Sequence, residues 1–247
     1  MTAARVCILG PSGRMGRALI AAAAARTDLA VTSTVDQGDD LAAGFAQADV
    51  YIDFTTPAST RAAADRARAS KLPAVIGTTG LDAEATAAID ALAAVAPVVV
   101  AANFSLGVNL VLGLVKTAAR ILGPDWDAEV VETHHHHKRD APSGTALAIA
   151  RAIAAGHGAD YDAVKRHTRD GDVGPRPRGE IGVSSVRGGD VVGEHLATFF
   201  GEGERLEIGH RATSRTIFAA GALRAAVWVV GRAPGRYDML DVLGLSS

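Results

Sequence analysis

The first 105 residues alternate between short apolar segments and helix-forming segments, and this alternation limits the possible folds more than any other feature. Segments with the apolar, β-branched character of strands lie at 5–9, 29–36, 48–54, 73–80 and 97–105. The segments between them favour helix: Pro57 suits a first helical turn, and Asp82 is a good cap for 82–95. Short connections between alternating strands and helices predict a doubly wound parallel sheet.

Ligands of such a sheet bind beyond the carboxyl ends of its strands, so the turns at that edge are candidate sites. They fall at 10–16, 36–37, 54–57, 77–80 and 101–105. The first turn, GPSGRMG, joins a strand to a helix and has the spacing G-x-x-G-x-x-G, a variant of the dinucleotide motif G-x-G-x-x-G. Small residues let the backbone approach a pyrophosphate, and the helix N-terminus offers N–H groups. The alternative is that the glycines serve only close packing of helix and strand.

An acidic residue follows the second strand at the position expected for a dinucleotide site. Asp36 lies 20 residues after Gly16 and can accept hydrogen bonds from a ribose, as in NAD binding. Gln37 follows it, and no arginine stands beside Asp36 to bind a 2′-phosphate, although Arg14 could serve that group. NADH and NADPH therefore both remain open.

The second half of the chain has a different pattern. After a long apolar helix predicted at 105–122, strand-like segments lie at 127–136, 181–189, 191–200 and 204–212, with a helical segment at 143–156. Because the later strands follow one another without helices, we expect an antiparallel sheet in a second domain. The segment 157–180 is rich in Gly, Asp, Arg and Pro and predicts irregular structure, and 213–232 returns to helix.

Composition excludes several classes of function. The net charge of -2 gives no reason to expect binding to nucleic acid or to an anionic membrane. The single cysteine, Cys7, lies in an apolar run and reads as a buried hydrophobe. The N-terminus lacks the layout of a signal peptide, and no uncharged apolar run approaches the ~20 residues of a membrane span. We expect a cytoplasmic protein.

The stretch ETHHHHKRDAPSGTA, beginning at Glu132, holds half of the chain's eight histidines. A metal site is one interpretation, but nearby acidic ligands are few and Lys138 and Arg139 would repel a cation, so we expect none. A solvated polar loop is another. In the third, histidine supplies a proton near neutral pH, and the SGT start of the next helix binds a carboxylate. That combination predicts a site that binds and protonates a dicarboxylate.

The motif HHHHKRDAPSGTA resembles the signature of the 4-hydroxy-tetrahydrodipicolinate reductase family, also called dihydrodipicolinate reductases. The resemblance continues, in order along nearly the whole chain, through GPSGRMG, DFT, GTTG, ANFSLGVN, VRGGDVVGEH and TSRTIFAAGALRAAVW. It implies reduction of 4-hydroxy-tetrahydrodipicolinate by NADH or NADPH to tetrahydrodipicolinate and water, in the diaminopimelate route to lysine.

The resemblance also implies an α/β architecture with two domains. Residues 1–104 with 216–247 would form a Rossmann-like dinucleotide-binding domain. Residues 105–215 would form an α+β domain for substrate binding and oligomerisation, with a mostly antiparallel or mixed sheet, in a homotetramer.

Roles for individual residues follow from the matching motifs. The resemblance implies that His134 is the proton donor and Lys138 its catalytic partner. The implied substrate-carboxylate ligands are His135, Ser143, Gly144 and Thr145. The implied cofactor contacts are Gly10, Pro11, Ser12, Gly13, Arg14, Met15, Asp36, Gly77, Thr78, Thr79, Ala101, Ala102, Asn103, Phe104 and, near the nicotinamide, Arg215. Some relatives have glycine at Ser12 and arginine at Gln37, and the second departure leaves cofactor preference open.

Two alternatives of other kinds remain at this point. One is a different NAD(P)-dependent dehydrogenase on the same fold, such as an amino-acid dehydrogenase, which an assay with simple 2-oxo acids would distinguish. The other is a nucleotide-sensing or metal-binding protein without catalytic activity, which zinc content and failure to oxidise NADH would indicate.

Overall fold

The computed structural model describes residues 3–245, and the chain divides into two compact units. One unit comprises Met1–Leu106 and Thr216–Ser247, and the other comprises Gly107–Arg215. The elements in chain order are β1 (Ala4–Leu9), α1 (Arg14–Ala23), β2 (Leu29–Val35), α2 (Leu41–Phe45), β3 (Val50–Asp53), α3 (Pro57–Ser70), β4 (Ala74–Ile76), α4 (Ala83–Ala93), β5 (Pro97–Val100), α5 (Leu106–Leu122), β6 (Asp127–His134), α6 (Gly144–His157), α7 (Tyr161–Val164), β7 (Lys165–Arg166), β8 (Ile181–Arg187), β9 (Gly193–Gly201), β10 (Glu204–Ala212), α8 (Thr216–Val229), β11 (Gly235–Tyr237) and α9 (Met239–Leu243).

The first unit is built on a parallel six-stranded sheet with the order β11-β5-β4-β3-β1-β2. This confirms the doubly wound parallel sheet. Strand β1 lies between β2 and β3, so the chain leaves β1 toward one side and returns to the other. A crevice opens at the carboxyl ends of strands where the order reverses in this way. The turn at Gly10 and the turn after Asp53 flank that crevice.

Alternate residues of β1 enter different cores because successive side chains point to opposite faces of a strand. Val6 and Ile8 pack in a core that includes residues of α1 and α8. Cys7 packs on the other face, in a core that includes residues of α3 and α4. Cys7 is a free, buried thiol, which confirms its interpretation as an apolar core residue.

Two helix starts confirm expectations from the sequence. Helix α3 begins at Pro57, after Thr56, whose hydroxyl accepts a hydrogen bond from the N–H of Ser59. Helix α4 begins after Asp82, whose carboxylate accepts from the N–H of Ala85 at 2.7 Å. Proline at a first helical position and aspartate as a cap each satisfy local requirements, so local sequence is enough to place them.

The second unit contains a five-stranded sheet with the order β10-β9-β6-β8-β7. Strand β9 is antiparallel to both of its neighbours, β6 and β10, but β8 is parallel to β6 and to β7. The sheet is therefore mixed rather than purely antiparallel. The reason is that α6 lies between β6 and β8 and carries the chain back to the starting edge, as a parallel connection requires.

One face of this mixed sheet packs against helices, and residues of α5 and α6 join it in a buried core that includes Ile149 and Phe199. The opposite face is different, because four large apolar side chains on it are exposed. They are Val131, Val186, Leu196 and Phe200.

The segment 157–180 is less irregular than the sequence predicts, since it contains α7 and β7. Its remaining part is fixed to the sheet by arginines. Arg169 forms two hydrogen bonds with Glu129, at 3.1 and 2.8 Å, and Arg176 donates to Asp127 at 2.7 Å. Within residues 3–245, no helix has the length and apolar character needed to cross a membrane.

Candidate active site

The glycine turn after β1 has the shape expected of a dinucleotide loop. Gly10 has a φ of 65°, which favours glycine, and a Cβ there would lie 2.9 Å from a methyl carbon of Thr55. A Cβ on Gly16 would lie 2.1 Å from the carbonyl oxygen of Gly10. Gly13, the N-cap of α1, provides no side-chain cap. Close packing therefore explains Gly16, whereas the uncapped helix start leaves room for an anionic group at Gly13.

A cavity of about 580 Å³ opens beside this turn, within the first unit. Asp36 and Asp39 line it, together with Gly10 and the turn at Thr55, and its lining contains no lysine or arginine. Asp36 accepts from the N–H of Ser12 at 3.3 Å and from that of Gln37 at 2.9 Å. Hydrogen bonds to the Ser12 side chain and to the Gln37 N–H lower the pKa of Asp36, so it is ionised near neutral pH.

The GTTG turn is fixed by a buried carboxylate at the end of β3. Asp53 is fully buried and accepts from the hydroxyls of Thr55 at 2.5 Å and Thr60 at 2.6 Å. The hydroxyl oxygens of Thr60 and Thr78 lie 2.8 Å apart, at hydrogen-bond distance. Thr78 is buried, and Thr79 is exposed beside it. The network holds the turn after β3 and the turn after β4 together.

Two aromatic rings lie behind these turns. A Cβ on Gly77 would lie 2.1 Å from the ring of Phe54, so this position needs glycine. The ring of Phe104 is buried and meets Phe54 edge-on, with the ring centroids 5.2 Å apart. The side chain of Phe104 thus belongs to the core, and Ala101, Ala102 and Asn103 precede it in the same turn.

The histidine run lies at the end of β6 in the second unit. The strand ends at His134, whose ring is buried, and His136 and His137 are exposed beyond it. The Nδ1 of His134 lies 2.5 Å from Oε2 of Glu132, two residues earlier and on the same face of the strand. Glu132 thereby holds His134 through one of its two ring nitrogens.

Glu132 is a fully buried carboxylate with several hydrogen-bond donors around it. Arg187, at the end of β8, donates to both of its oxygens at 2.8 Å, and the N–H of Ser143 donates at 3.1 Å. Burial favours the neutral acid, but hydrogen bonds from Arg187, Ser185 and His134 outweigh it and lower the pKa of Glu132 to about 2. Glu132 is therefore a buried anion at neutral pH.

Ser143 joins this cluster to the start of α6. Its hydroxyl accepts from the N–H of Ala146 at 3.1 Å and lies 3.1 Å from Nε2 of His195. The N–H of Ser143 donates to the buried Glu132, whereas Gly144, at the first helical position, is exposed. His195 is buried, and its ring is 5.2 Å from that of His134. Burial, and then the neighbouring His134, lower the pKa of His195 to about 4, so it is neutral near pH 7.

Lys138 and His135 flank His134 on the following loop. The Nζ of Lys138 pairs with the exposed Asp140, at 2.8 Å from one carboxylate oxygen. The buried Nδ1 of His135 finds no hydrogen-bond partner among the described residues. Burial, and then the charge of Arg215, lower the pKa of His135. Arg215 thus acts on the histidine run of its own unit.

The structure reveals four residues of this cluster that sequence reasoning gave no role: Glu132 as a partner of His134, Arg187, His195 and Gly193. A Cβ on Gly193 would lie 3.0 Å from Nε2 of His134, so glycine keeps that nitrogen uncovered on this side. The signal was present in the motif VRGGDVVGEH, which contains Arg187, Gly193 and His195, but the motif does not say what each residue contacts. Across residues 3–245, no three His, Cys, Asp or Glu side chains are grouped to hold a metal ion.

Two protein-family models match the chain. The family model described as "Dihydrodipicolinate reductase, N-terminus" matches residues 4–104, and that described as "Dihydrodipicolinate reductase, C-terminus" matches residues 107–243. The chain belongs to the dihydrodipicolinate reductase family. The family consists of enzymes that use NAD(P)H, and the N-terminal domain is the nucleotide-binding one.

Two similar relatives are 4-hydroxy-tetrahydrodipicolinate reductases over their whole length. The one from Alkalilimnicola ehrlichii is 47% identical, covering 98% of this chain and 99% of the relative. The one from Akkermansia muciniphila is 48% identical, covering 98% of each. A solved dipicolinate-bound dihydrodipicolinate reductase from Paenisporosarcina sp. TG-14 has the same fold, with a TM-score of 0.81, 24% identity and coverage of 97% of this chain and 98% of that one.

Proposed function

We propose that this chain is a 4-hydroxy-tetrahydrodipicolinate reductase acting in the diaminopimelate route to lysine. The proposal rests on the way His134 is held. Its Nδ1 faces the ionised Glu132, and Glu132 also accepts from the N–H of Ser143, at the start of the helix where a carboxylate would bind. The net reaction takes up one hydride and one proton and releases water. A histidine that is held at one ring nitrogen and uncovered at the other is suited to supply the proton of this reaction.

In this proposal His134 protonates the substrate from Nε2, because Nδ1 is occupied by Glu132. Loss of the hydroxyl as water, with a proton from the neighbouring carbon, first gives a conjugated C=C–C=N ring. Hydride then adds to one carbon of the C=C, and the proton from His134 goes to the neighbouring ring carbon. The ammonium group of Lys138 stabilises the negative charge that develops on the substrate before protonation. His135, Ser143, Gly144 and Thr145 hold the substrate carboxylates, with Ser143 acting through the helix start that it caps.

The cofactor assignment rests on the fit of the first unit to a dinucleotide. The uncapped start of α1 receives the pyrophosphate, contacted by Gly10, Pro11, Ser12, Gly13, Arg14 and Met15, and Asp36 receives the adenosine ribose. The nicotinamide dinucleotide, when bound, supplies the hydride. Gly77, Thr78, Thr79, Ala101, Ala102, Asn103 and Phe104 would border the nicotinamide half, Phe104 through its backbone because its ring is buried. Arg215 is assigned to the same group only on the family resemblance.

The same cavity favours NADH over NADPH. A 2′-phosphate on the adenosine ribose would bring its negative charge beside Asp36 and Asp39, and no basic side chain lines the cavity to compensate. The 2′-phosphate of NADPH would be repelled by ionised Asp36 unless Arg14, which lies outside the lining, moved in to pair with it. We therefore assign NADH as the preferred cofactor.

We assign a different role to each of the two domains. We assign dinucleotide binding to residues 1–104 with 216–247, and substrate binding and assembly to 105–215. Val131, Val186, Leu196 and Phe200 leave an apolar face of the mixed sheet exposed, and such faces mark protein interfaces. We propose that this face pairs with other copies of the chain in a homotetramer. Light scattering should give a tetrameric mass, and Leu196→Glu should lower it, whereas a monomeric wild type would contradict the assembly.

The test of the activity follows oxidation of NADH and of NADPH by its absorbance, using freshly generated 4-hydroxy-tetrahydrodipicolinate. We expect rapid turnover, with kcat/KM higher for NADH. Simple 2-oxo acids with ammonia form the comparison arm. If only the 2-oxo acids were turned over, the protein would be an amino-acid dehydrogenase instead. If no substrate were turned over, a reductase activity would be rejected.

A further inference from the structure

We infer that Glu132 is a positioning residue for proton transfer, which fixes the nitrogen of His134 that delivers the proton and, through Arg187, links that ring to the loop of Lys138. The inference rests on the proposed role of His134 as proton donor. Glu132 itself reaches neither substrate nor cofactor in this scheme, because it is fully buried behind the histidine.

The hydrogen bonds of Glu132 leave it no freedom to turn. Oε2 faces Nδ1 of His134 at 2.5 Å and one arginine nitrogen of Arg187 at 2.8 Å. Oε1 accepts from the other nitrogen of Arg187 at 2.8 Å and from the N–H of Ser143 at 3.1 Å. A planar guanidinium that binds both carboxylate oxygens sets the plane of the carboxylate, and the plane in turn sets the direction of the bond to His134.

An ionised carboxylate can only accept hydrogen bonds, so Nδ1 of His134 must carry a hydrogen. Two consequences follow for the histidine. The ring is held with Nε2 directed away from Glu132, on the side where Gly193 has no side chain to cover it. After Nε2 has given up its proton, the ring remains a neutral tautomer whose Nδ1 hydrogen still points to Glu132.

Arg187 extends this arrangement to the loop that bears Lys138. One of its nitrogens also donates to the carbonyl oxygen of Asp140 at 2.7 Å. The carboxylate of Asp140 pairs with Nζ of Lys138, and the N–H of Lys138 donates to the carbonyl of His135 at 3.1 Å. A single buried anion thus fixes, directly or through Arg187, the histidine, the start of α6 and the lysine loop.

The substitution Glu132→Gln tests the inference with little change in shape. The oxygen of the amide would stay toward Ser143 and one nitrogen of Arg187, which are donors. Its NH₂ would take the place of Oε2 and face both Nδ1 of His134 and the other nitrogen of Arg187. That NH₂ is itself a donor, so it favours the tautomer with hydrogen on Nε2 and disfavours imidazolium. We expect kcat to fall by about 100-fold, the scale of a lost general acid, with a much smaller rise in KM.

Glu129→Gln is a matched control. Glu129 lies on the same strand, is also bound twice by an arginine, Arg169, and faces the opposite side of the sheet. Its substitution should leave kcat unchanged. An equal loss of kcat in both variants would show that damage to the strand, and not the partner of His134, lowers the rate, and would overturn the inference.

A second measurement does not depend on turnover, and it is made on the wild-type protein. Nitrogen NMR of the wild-type enzyme labelled at histidine, with the His134 signals assigned through His134→Gln, reports which ring nitrogen carries hydrogen. We expect hydrogen on Nδ1 at every pH at which the ring is neutral. Hydrogen on Nε2 would overturn the inference even if the reductase activity were present. Absence of that activity with hydrogen on Nδ1 would instead reject the proposed function.

Discussion

The buried anion Glu132 makes a quantitative prediction about acid stability. In Glu132→Gln, the free energy of unfolding should be lower than in the wild type at neutral pH, and this difference should shrink as the pH falls. The pKa of Glu132 falls from 4.5 to about 2 in the folded protein. A carboxyl group whose pKa is lowered by folding stabilises the fold above its unfolded-state pKa and ceases to do so as the pH falls through its folded-state value.

The size of the effect follows from that shift. Each pKa unit corresponds to about 1.4 kcal/mol, so ionised Glu132 contributes about 3 kcal/mol above roughly pH 5.5. Less than half of this should remain near pH 3, and almost none near pH 2. Protonated glutamic acid and glutamine have similar shapes and both leave Arg187 without an anion, so other costs of the substitution should be similar at every pH.

The two tryptophans allow unfolding of the relevant unit to be followed separately. Trp126 lies in the unit that contains Glu132, and Trp228 lies in the other. Urea unfolding should therefore be followed by Trp126 fluorescence in a Trp228→Phe background, with and without Glu132→Gln, from pH 7 to pH 3. A difference between the two proteins that stays constant over this range would refute the reasoning, because it would show that Glu132 does not titrate as a stabilising anion.

The remaining predictions concern activity. His134→Gln and Lys138→Ala should each lower kcat by about 100-fold or more in the reductase assay, and near-normal kcat in both would refute their assignment. Gly193→Ala, whose added carbon would lie 3.0 Å from Nε2 of His134, should lower kcat while urea unfolding stays close to wild type; unchanged kcat would mean that the proton leaves by another path. Gln37→Arg should raise kcat/KM for NADPH relative to NADH, and an unchanged ratio would contradict the charge argument for cofactor choice.

The fold of the first unit follows largely from local sequence. Alternating apolar and helical segments, Pro57 at a helix start and Asp82 as a cap each satisfy requirements that lie within a few residues. The structure adds the short elements α2, α9 and β11, whose patterns are too brief to be read alone. In the second unit, the sequence did not predict the parallel pairing of β6 and β8, because local sequence does not show which strands become neighbours.

The candidate site divides in the same way. The residues 134–145 form one continuous motif, so His134, Lys138 and the helix start at Ser143 could be proposed from the sequence, and the family assignment made from those motifs is confirmed by the matching family models. Phe104 illustrates the limit: its place in a turn at the ligand edge was evident, but its burial against Phe54 depends on packing.

The sequence by itself determined the family, the doubly wound sheet and the histidine and lysine that we propose for the chemistry, because each of these depends on residues close together in the chain. Only the tertiary structure decided how that histidine is held. In the mixed sheet His134 is paired with Arg187 on one side, and Glu132 with His195 on the other. Strand register between segments that are more than fifty residues apart places these side chains together, and local patterns do not specify register between distant strands.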